Sequence, residues 1–235
     1  MLPIAVLAGG LATRLGTLTE NVPKCMLEVN GFPFIHWQIE LLKAAGYRDF
    51  IFCLAHKSDV IQEYLGDGSR FGVNFEFSMD GATQLGTGGA IVKAAQLLGE
   101  EFAVIYGDSY LPISYHDFEL AFKSSDSVAM MCLFKNDSQI ETSNAELLSD
   151  GNVDYCKGTI DFRKNYIDYG ISYFKGEAFK DYQPNQPVDL AEICQTLSKN
   201  RKLAGYEVFQ RYYEVGSHQG IADFSNYLLE VNHGF

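Results

Sequence analysis

Two cations and a pair of glycines near the amino terminus could together do phosphate chemistry. In LPIAVLAGGLATRLGTLTENVPKCMLEVNGFPFIHW an apolar run (4–8) stops at Gly9-Gly10. Thr13 and Arg14 follow, and ten residues after Arg14 comes Lys24, directly behind Pro23. A buried strand that opens into a loop of bare backbone N–H groups, with Arg and Lys beside it, suits a polyphosphate. The expected ligand is a nucleoside triphosphate, gripped by the backbone from Leu7, Ala8, Gly9 and Gly10 to Thr13 and by both cations. A tight turn would also explain the glycines, but a turn needs no cations at this spacing. The spacing fits neither GxGxxG nor GxxxxGK[ST], which disfavours a dinucleotide oxidoreductase and a Walker-type NTPase.

Two further places carry candidate chemistry. Asp108 ends an apolar run (102–106) through Gly107, where a buried carboxylate needs a partner or a metal. Mg²⁺, which takes one or two protein carboxylates with phosphate oxygens and water, is one expected occupant; a turn-capping aspartate is the alternative. Leu85-Gly86-Thr87-Gly88-Gly89-Ala90 is a glycine-rich turn opening a helix. Gly88 and Gly89 would admit a close approach that a side chain would block, and Gln84 could meet a base edge. An ordinary loop-to-helix junction accounts for the same pattern.

These residues must be positioned by the surrounding elements. In the first half, strand-like runs at 4–8, 50–55, 73–77 and 102–106 alternate with helix-like runs. The helices are expected at 33–45, stopped by Gly46, at 60–65, with Ser58 or Asp59 as cap and Gly66 as terminator, and at 88–98. The alternation implies an α/β fold with a mainly parallel sheet covered on both faces. The second half has strand-like runs at 128–134, 141–148, 153–156 and 171–174, expected to be antiparallel. A helix at 188–197, a strand at 204–209 and a helix at 221–231 follow, with His218 as a candidate cap. The chain is expected to form one domain (1–235), its nucleotide half at 1–125 and its acceptor half at 126–235. In such sheets ligands bind beyond the carboxyl ends of the strands, which would put Gly9–Arg14 and Gly107-Asp108 on one rim.

Composition narrows the class. Apolar residues are 47% of the 235, charged residues 20%, and the net charge is −12. That charge opposes nucleic acid and anionic membrane as partners. Five dispersed cysteines without a CxxC pair suggest buried free thiols in a reducing compartment, with no zinc site. The start lacks a basic n-region, and no run of about 18 apolar residues occurs, so a cytoplasmic protein is expected.

The segment LAGGLATRLGTLTENVPKCMLEVNGFPFI resembles the signature of the sugar-1-phosphate nucleotidyltransferases, L-A-G-G-x-G-T-R-L…P-K-x-[ML], with Ala12 in place of the third glycine. LGTGGA, Gly107-Asp108 and Tyr213-Glu214-Val215-Gly216-Ser217 continue the resemblance in order along nearly the whole chain. It implies a Rossmann-like, GT-A-like fold with a small antiparallel sugar-binding lobe. It implies that Arg14 holds the β- and γ-phosphates, that Lys24 bridges the α-phosphate and the acceptor phosphate, and that Gln84, Leu85, Gly86, Thr87 and Gly88 surround base and ribose. Asp108 and Glu214 would hold Mg²⁺, although many members carry aspartate at the second position. On the acceptor side, Lys157 would hold the phosphate, with Asp168, Tyr169 and Gly170 on the sugar. There the family's Glu-Lys-Pro is replaced by Tyr155-Cys156-Lys157-Gly158, which leaves the sugar open. The compact Gly107–Leu111 segment and LGTGGA are similar to small guanylyltransferases of manno-heptose 1-phosphate, so GTP is the expected nucleotide. Uridylyl, thymidylyl and cytidylyl transfer, other phosphorylated acceptors and a non-catalytic nucleotide sensor stay open, as does a homodimer.

Overall fold

The structure, a computed structural model, describes residues 1–10, 22–55, 57–136, 142–158 and 164–231. Strand β1 (Ile4–Leu7) lies at the centre of a nine-stranded sheet. It is followed by the two-residue strands β2 (Glu28–Val29) and β3 (Phe32–Pro33), joined by Asn30-Gly31. Both turn residues have positive φ, 49° and 87°, the pairing that a type I′ hairpin demands and that Asn-Gly supplies. Helix α1 (Phe34–Ala44) begins one residue later than the sequence suggested, with Pro33 as its N-cap residue.

The first-half alternation holds. Strand β4 (Asp49–Leu54), helix α2 (Ser58–Leu65), strand β5 (Asn74–Met79), helix α3 (Gly86–Leu98) and strand β6 (Glu101–Tyr106) follow in order. Strands β6, β1, β4 and β5 are adjacent and parallel. Alternation in β1 divides the core. Ile4 and Val6 pack with Ile35, Ile39, Leu42 and Ile61 of α1 and α2, while Ala5 packs with Ile91, Ala94 and Leu98 of α3. Helix α2 is capped by neither Ser58 nor Asp59, since both lie inside it; the N-cap is Lys57, in a left-handed conformation.

Beyond β6 come strand β7 (Ser109–Tyr110), helix α4 (Tyr115–Lys123) and strands β8 (Ala129–Lys135), β9 (Ala145–Leu147), β10 (Val153–Tyr155) and β11 (Tyr166–Lys175). Strand β11 is antiparallel to both β6 and β8, which joins the two halves in one sheet. Helix α5 (Leu190–Lys199), strand β12 (Leu203–Val208), strand β13 (Tyr213–Glu214) and helix α6 (His218–Glu230) complete the chain. The four runs expected to be antiparallel do pair so, β8 with β11 and β9 with β10 and β11, and strand β12 pairs with β8 in parallel. Strand β12, which follows β11 through α5, therefore runs opposite to β11 and lies on the other side of β8. Helix α6 starts at His218, and Ser217 is its cap, taking the Gly220 N–H at 2.9 Å. Helix α4 has no counterpart in the sequence reading.

Among the described residues no helix is long and apolar enough to cross a membrane. All five cysteines are free; four are buried and Cys156 is half-buried.

Candidate active site

The carboxyl ends of the four parallel strands frame a cleft of about 310 Å³. From β1 it takes Leu7, Ala8, Gly9 and Gly10, from β4 Cys53, Leu54 and Ala55, and from β6 Tyr106, Gly107 and Asp108. The strand ends are laced together: the Ala8 N–H donates to the Cys53 carbonyl and the Gly107 N–H to the Leu7 carbonyl, each at 3.0 Å. Gln84, Gly86 and Thr87 close the cleft from the start of α3. Thr13 and Arg14 lie outside the described residues.

Two residues of the expected nucleotide set do not line this cleft. Leu85 is buried; its N–H donates to Asp80 Oδ2 at 2.9 Å, and its carbonyl accepts from Val188 N–H at 2.9 Å. Gly88 faces the protein, its N–H donating to the Val188 carbonyl at 2.9 Å. A Cβ there would stand 3.0 Å from the Leu190 nitrogen. The close approach that this glycine permits is therefore to the 188–190 backbone. Asp80 was not picked out from the sequence, yet it lines the cleft behind β5. Burial raises its pKa against the hydrogen bond from Leu85 and the charge of Lys93. Its signal was the one already used for Asp108: a carboxylate at the end of an apolar-patterned strand.

A second cleft, about 750 Å³, adjoins the first and shares Lys24, Tyr106 and Asp108 with it. Asp168, Tyr169 and Gly170 line it. They sit where β11 is irregular: its pairing with β8 runs through Asp168↔Leu133 and resumes at Ser172↔Met131. Three residues of β11 therefore face the single Cys132 of β8, a bulge that brings 168–170 to the wall of the second cleft while Ile171 stays in the core. Gly170 (φ 95°) makes this bend, and its N–H is held by Asp168 Oδ1 at 3.0 Å. Arg211, His218, Gln219 and Asp223 line the far side. None was predicted as a site residue, because they come from a strand exit and a helix start that only the tertiary fold brings to the rim. Arg211 is hydrogen-bonded to Asp223, which also accepts from Gln219 Nε2 at 2.7 Å.

Lys24, Asp108 and Glu214 meet at the junction of the clefts. Lys24 opens a 3-10 turn (Lys24–Met26) anchored by buried Cys25, whose thiol is pushed up to about 12 by burial, aided by Asp108. Such a thiol is inert packing, not a nucleophile. The Lys24 ammonium is hydrogen-bonded to Asp108 Oδ2 and lies 3.9 Å from Glu214 Oε2. Asp108 and Glu214 are brought side by side by the short β7–β13 ladder, in which Glu214 faces Ser109. The Val215 N–H also donates to the Asp108 carbonyl at 3.2 Å. Gln38 of α1, 1% exposed, donates its Nε2 to the carbonyls of Tyr106 (2.8 Å) and Ser109 (2.6 Å) and so clasps the turn that carries Asp108. Among the described residues no cluster of three His, Cys, Asp or Glu side chains forms a cation cage. Two carboxylates held around Lys24 at the edge of this strand-end cleft are nevertheless a donor set that suits Mg²⁺, which draws its other oxygens from ligand and water.

Lys157 is not with this group. Its ammonium is on Asp189 Oδ2 at 2.9 Å, beside Thr87, and it does not line the second cleft. The Asp189 carboxylate competes for it, which the sequence motif alone did not reveal.

This architecture has known counterparts. The nucleotidyl transferase family model matches residues 4–231. The chain belongs to that family. It is 29% identical over 218 residues to the N-acetylmuramate alpha-1-phosphate uridylyltransferase of Neisseria meningitidis serogroup B, covering 90% of this chain and 92% of that one. It is 27% identical over 214 residues to the D-glycero-alpha-D-manno-heptose 1-phosphate guanylyltransferase of Campylobacter jejuni, covering 88% and 91%. The crystal structure of HddC from Yersinia pseudotuberculosis superimposes with a TM-score of 0.81 at 24% identity, over 97% of this chain and all of that one. That likeness establishes the fold. The enzyme class expected from the motifs, sugar-1-phosphate nucleotidyltransferase, is the class these sequence relatives carry.

Proposed function

We propose that the chain transfers a nucleoside monophosphate from an NTP to a sugar 1-phosphate, releasing pyrophosphate. The observation that carries this reading is the junction: a strand-end cleft suited to a nucleotide and a second cleft suited to an acceptor share Lys24 and Asp108. An acceptor phosphate oxygen approaching from the second cleft would attack the α-phosphorus in line, with pyrophosphate leaving toward the glycine loop. The attacking oxygen is already anionic near neutral pH, so the protein's work is positioning and charge neutralisation. Lys24 neutralises the α-phosphate and the incoming phosphate, and Arg14 the departing pyrophosphate. Asp108 and Glu214 would hold Mg²⁺, which would supply Lewis-acid neutralisation of phosphate charge. Asp168 presents its carboxylate to the sugar, while buried Tyr169 donates its hydroxyl to the Gln210 carbonyl at 2.6 Å and supports the wall from behind.

For the substrates, the proposal is GTP with a manno-configured heptose or hexose 1-phosphate, for surface polysaccharide precursors; the Campylobacter relative supports it. Uridylyl transfer is the second reading, supported by the Neisseria relative. An NTP-using enzyme with buried free thiols fits a cytoplasmic setting. The test is pyrophosphate release with Mg²⁺ across four NTPs and a panel of sugar 1-phosphates that includes manno-heptose and N-acetylmuramate. Turnover with GTP and a manno-configured sugar supports the first reading, and turnover with UTP and N-acetylmuramate 1-phosphate the second. A blank grid with intact NTP binding rejects both in favour of a nucleotide sensor.

A further inference from the structure

The start of α3 is held by a segment from the other half of the chain. The Val188 carbonyl takes the N–H groups of both Gly88 (2.9 Å) and Gly89 (3.1 Å), and the Val188 N–H returns to the Leu85 carbonyl. Built Cβ atoms on Gly86, Gly88 and Gly89 would stand 2.8, 2.9 and 2.6 Å from the Val188 oxygen, Ile193 Cδ1 and the Gln186 oxygen. The glycines of LGTGGA are therefore filled from behind by protein, and the N–H groups of Gly88 and Gly89 are spent on it. Gly86 and Thr87 remain on the cleft side.

Asp189 is where this contact is fastened. Its Oδ1 accepts from the Ala191 N–H at 3.0 Å, as the cap of α5, and from Thr87 Oγ1 at 3.0 Å. The Thr87 hydroxyl in turn accepts the Leu190 N–H at 2.9 Å. Asp189 Oδ2 takes the Lys157 ammonium, and the Lys157 carbonyl accepts from Gln195 Nε2 of α5 at 3.4 Å. Burial works against the Asp189 charge, and the bonds from Ala191, Lys157 and Thr87 more than offset it, leaving its pKa below the usual carboxylate value.

We propose that Asp189 is a positioning residue of the nucleotide cleft, fixing Thr87 and Gly86 through the Thr87 hydroxyl and itself held by Lys157. Lys157 thereby serves the nucleotide side, in place of the acceptor phosphate. The proposal rests on the nucleotide-cleft reading above. It gives the second half of the chain a direct grip on the first half's ligand site.

The test varies NTP and acceptor separately in Asp189→Ala, Asp189→Asn and Lys157→Met, with calorimetric binding of a non-hydrolysable NTP analogue in parallel. Asp189→Ala loses all three bonds, and its NTP KM and analogue Kd are expected to rise about tenfold. Its kcat and acceptor KM should stay within about twofold of wild type. Asn is as good a cap as Asp and can still meet Thr87, so Asp189→Asn should lose only the exposed ion pair. It should match Lys157→Met at about two- to threefold on NTP KM, and the double variant should be no worse than either single one. If Asp189→Ala does not fold, this cycle carries the test. A rise in acceptor KM alone in Lys157→Met, or additive effects in the double variant, would overturn the proposal. Wild type that binds no NTP analogue overturns the cleft reading and this inference together. Wild type that binds it, with Asp189→Ala binding equally well, overturns only the inference.

Discussion

The two clefts share a wall yet are built on different physical terms. The nucleotide cleft uses parallel strand ends laced by backbone hydrogen bonds, with glycines and small residues where a ligand must come near. Its frame follows from the sheet, and Asp80, Gln84, Thr87 and Asp108 add polar side chains to that frame. The acceptor cleft uses a bulge in β11, a two-residue strand and a helix start, and its polar groups are side chains: Asp168, Arg211, His218, Gln219 and Asp223. The relatives at 29% and 27% identity name different nucleotidyl groups as well as different sugars, so side-chain variation is expected at both clefts.

The harshest way to break the comparison is at the shared wall. Lys24→Met should lower kcat by about 10²–10³ with any acceptor, because its ammonium serves both clefts; near-native turnover would remove Lys24 from the chemistry. Arg211→Gln should change acceptor KM by about tenfold or less and leave NTP KM alone. A shift in both constants would mean that the clefts are not separable. Gln38→Leu removes both bonds that clasp the Asp108 turn and should cost about 1–3 kcal/mol in denaturant unfolding. It should also weaken Mn²⁺ binding in the presence of NTP, and unchanged stability would show that the turn stands without Gln38.

The smallest expected effect sharpens the account of Asp80. Burial holds its folded-state pKa above the unfolded value, so this group favours the fold below its unfolded pKa and loses that contribution as pH rises through the folded value. Asp80→Asn, which keeps an acceptor for the Leu85 N–H, should therefore raise Tm at pH 7, with the gain vanishing below about pH 4. A gain that persists at pH 3, or no gain at pH 7, would contradict the burial cost. A residue kept at such a cost beside a ligand cleft is the pattern of a stability–function compromise.

The inner strands of the first half were legible because they are buried on both faces and so read as apolar runs, as in 4–8 and 102–106, while edge strand β5 showed itself by alternation. The nucleotide rim followed from them, since motif order places Gly9 and Asp108 at neighbouring strand ends. Helix α4 escaped notice for a physical reason. Its buried face is Tyr115, Phe118, Glu119 and Phe122, and the charge at the fourth step interrupts the apolar stripe. Glu119 is tolerated there because it takes the Leu2 N–H (2.8 Å) and the Lys123 ammonium (2.7 Å), neither visible from spacing. The Asn30-Gly31 hairpin carried a local signal that went unread. Arg211 and Asp223 carried none, since their meeting depends on how α6 lies against β13. Lys157 illustrates the limit of motif transfer, because a lysine's position in a pattern does not say which carboxylate reaches it first.

The bulge in β11 has one more consequence, for how this chain tolerates changes of length. Residues 166–168 and 172–174 are both registered on β8 and 171–175 on β6, with 169 and 170 as the slack that pairs with neither strand. Removing one residue from that slack would force either β11–β8 pairing or β11–β6 pairing to slip by a step, and a one-step slip exchanges inward and outward faces. Substitutions at half-buried Asp168 carry no such penalty, whereas Tyr169 is fixed by its burial and its bond to the Gln210 carbonyl. Variation in this stretch should therefore run through side-chain identity at constant length, with Gly170 as the fixed pivot.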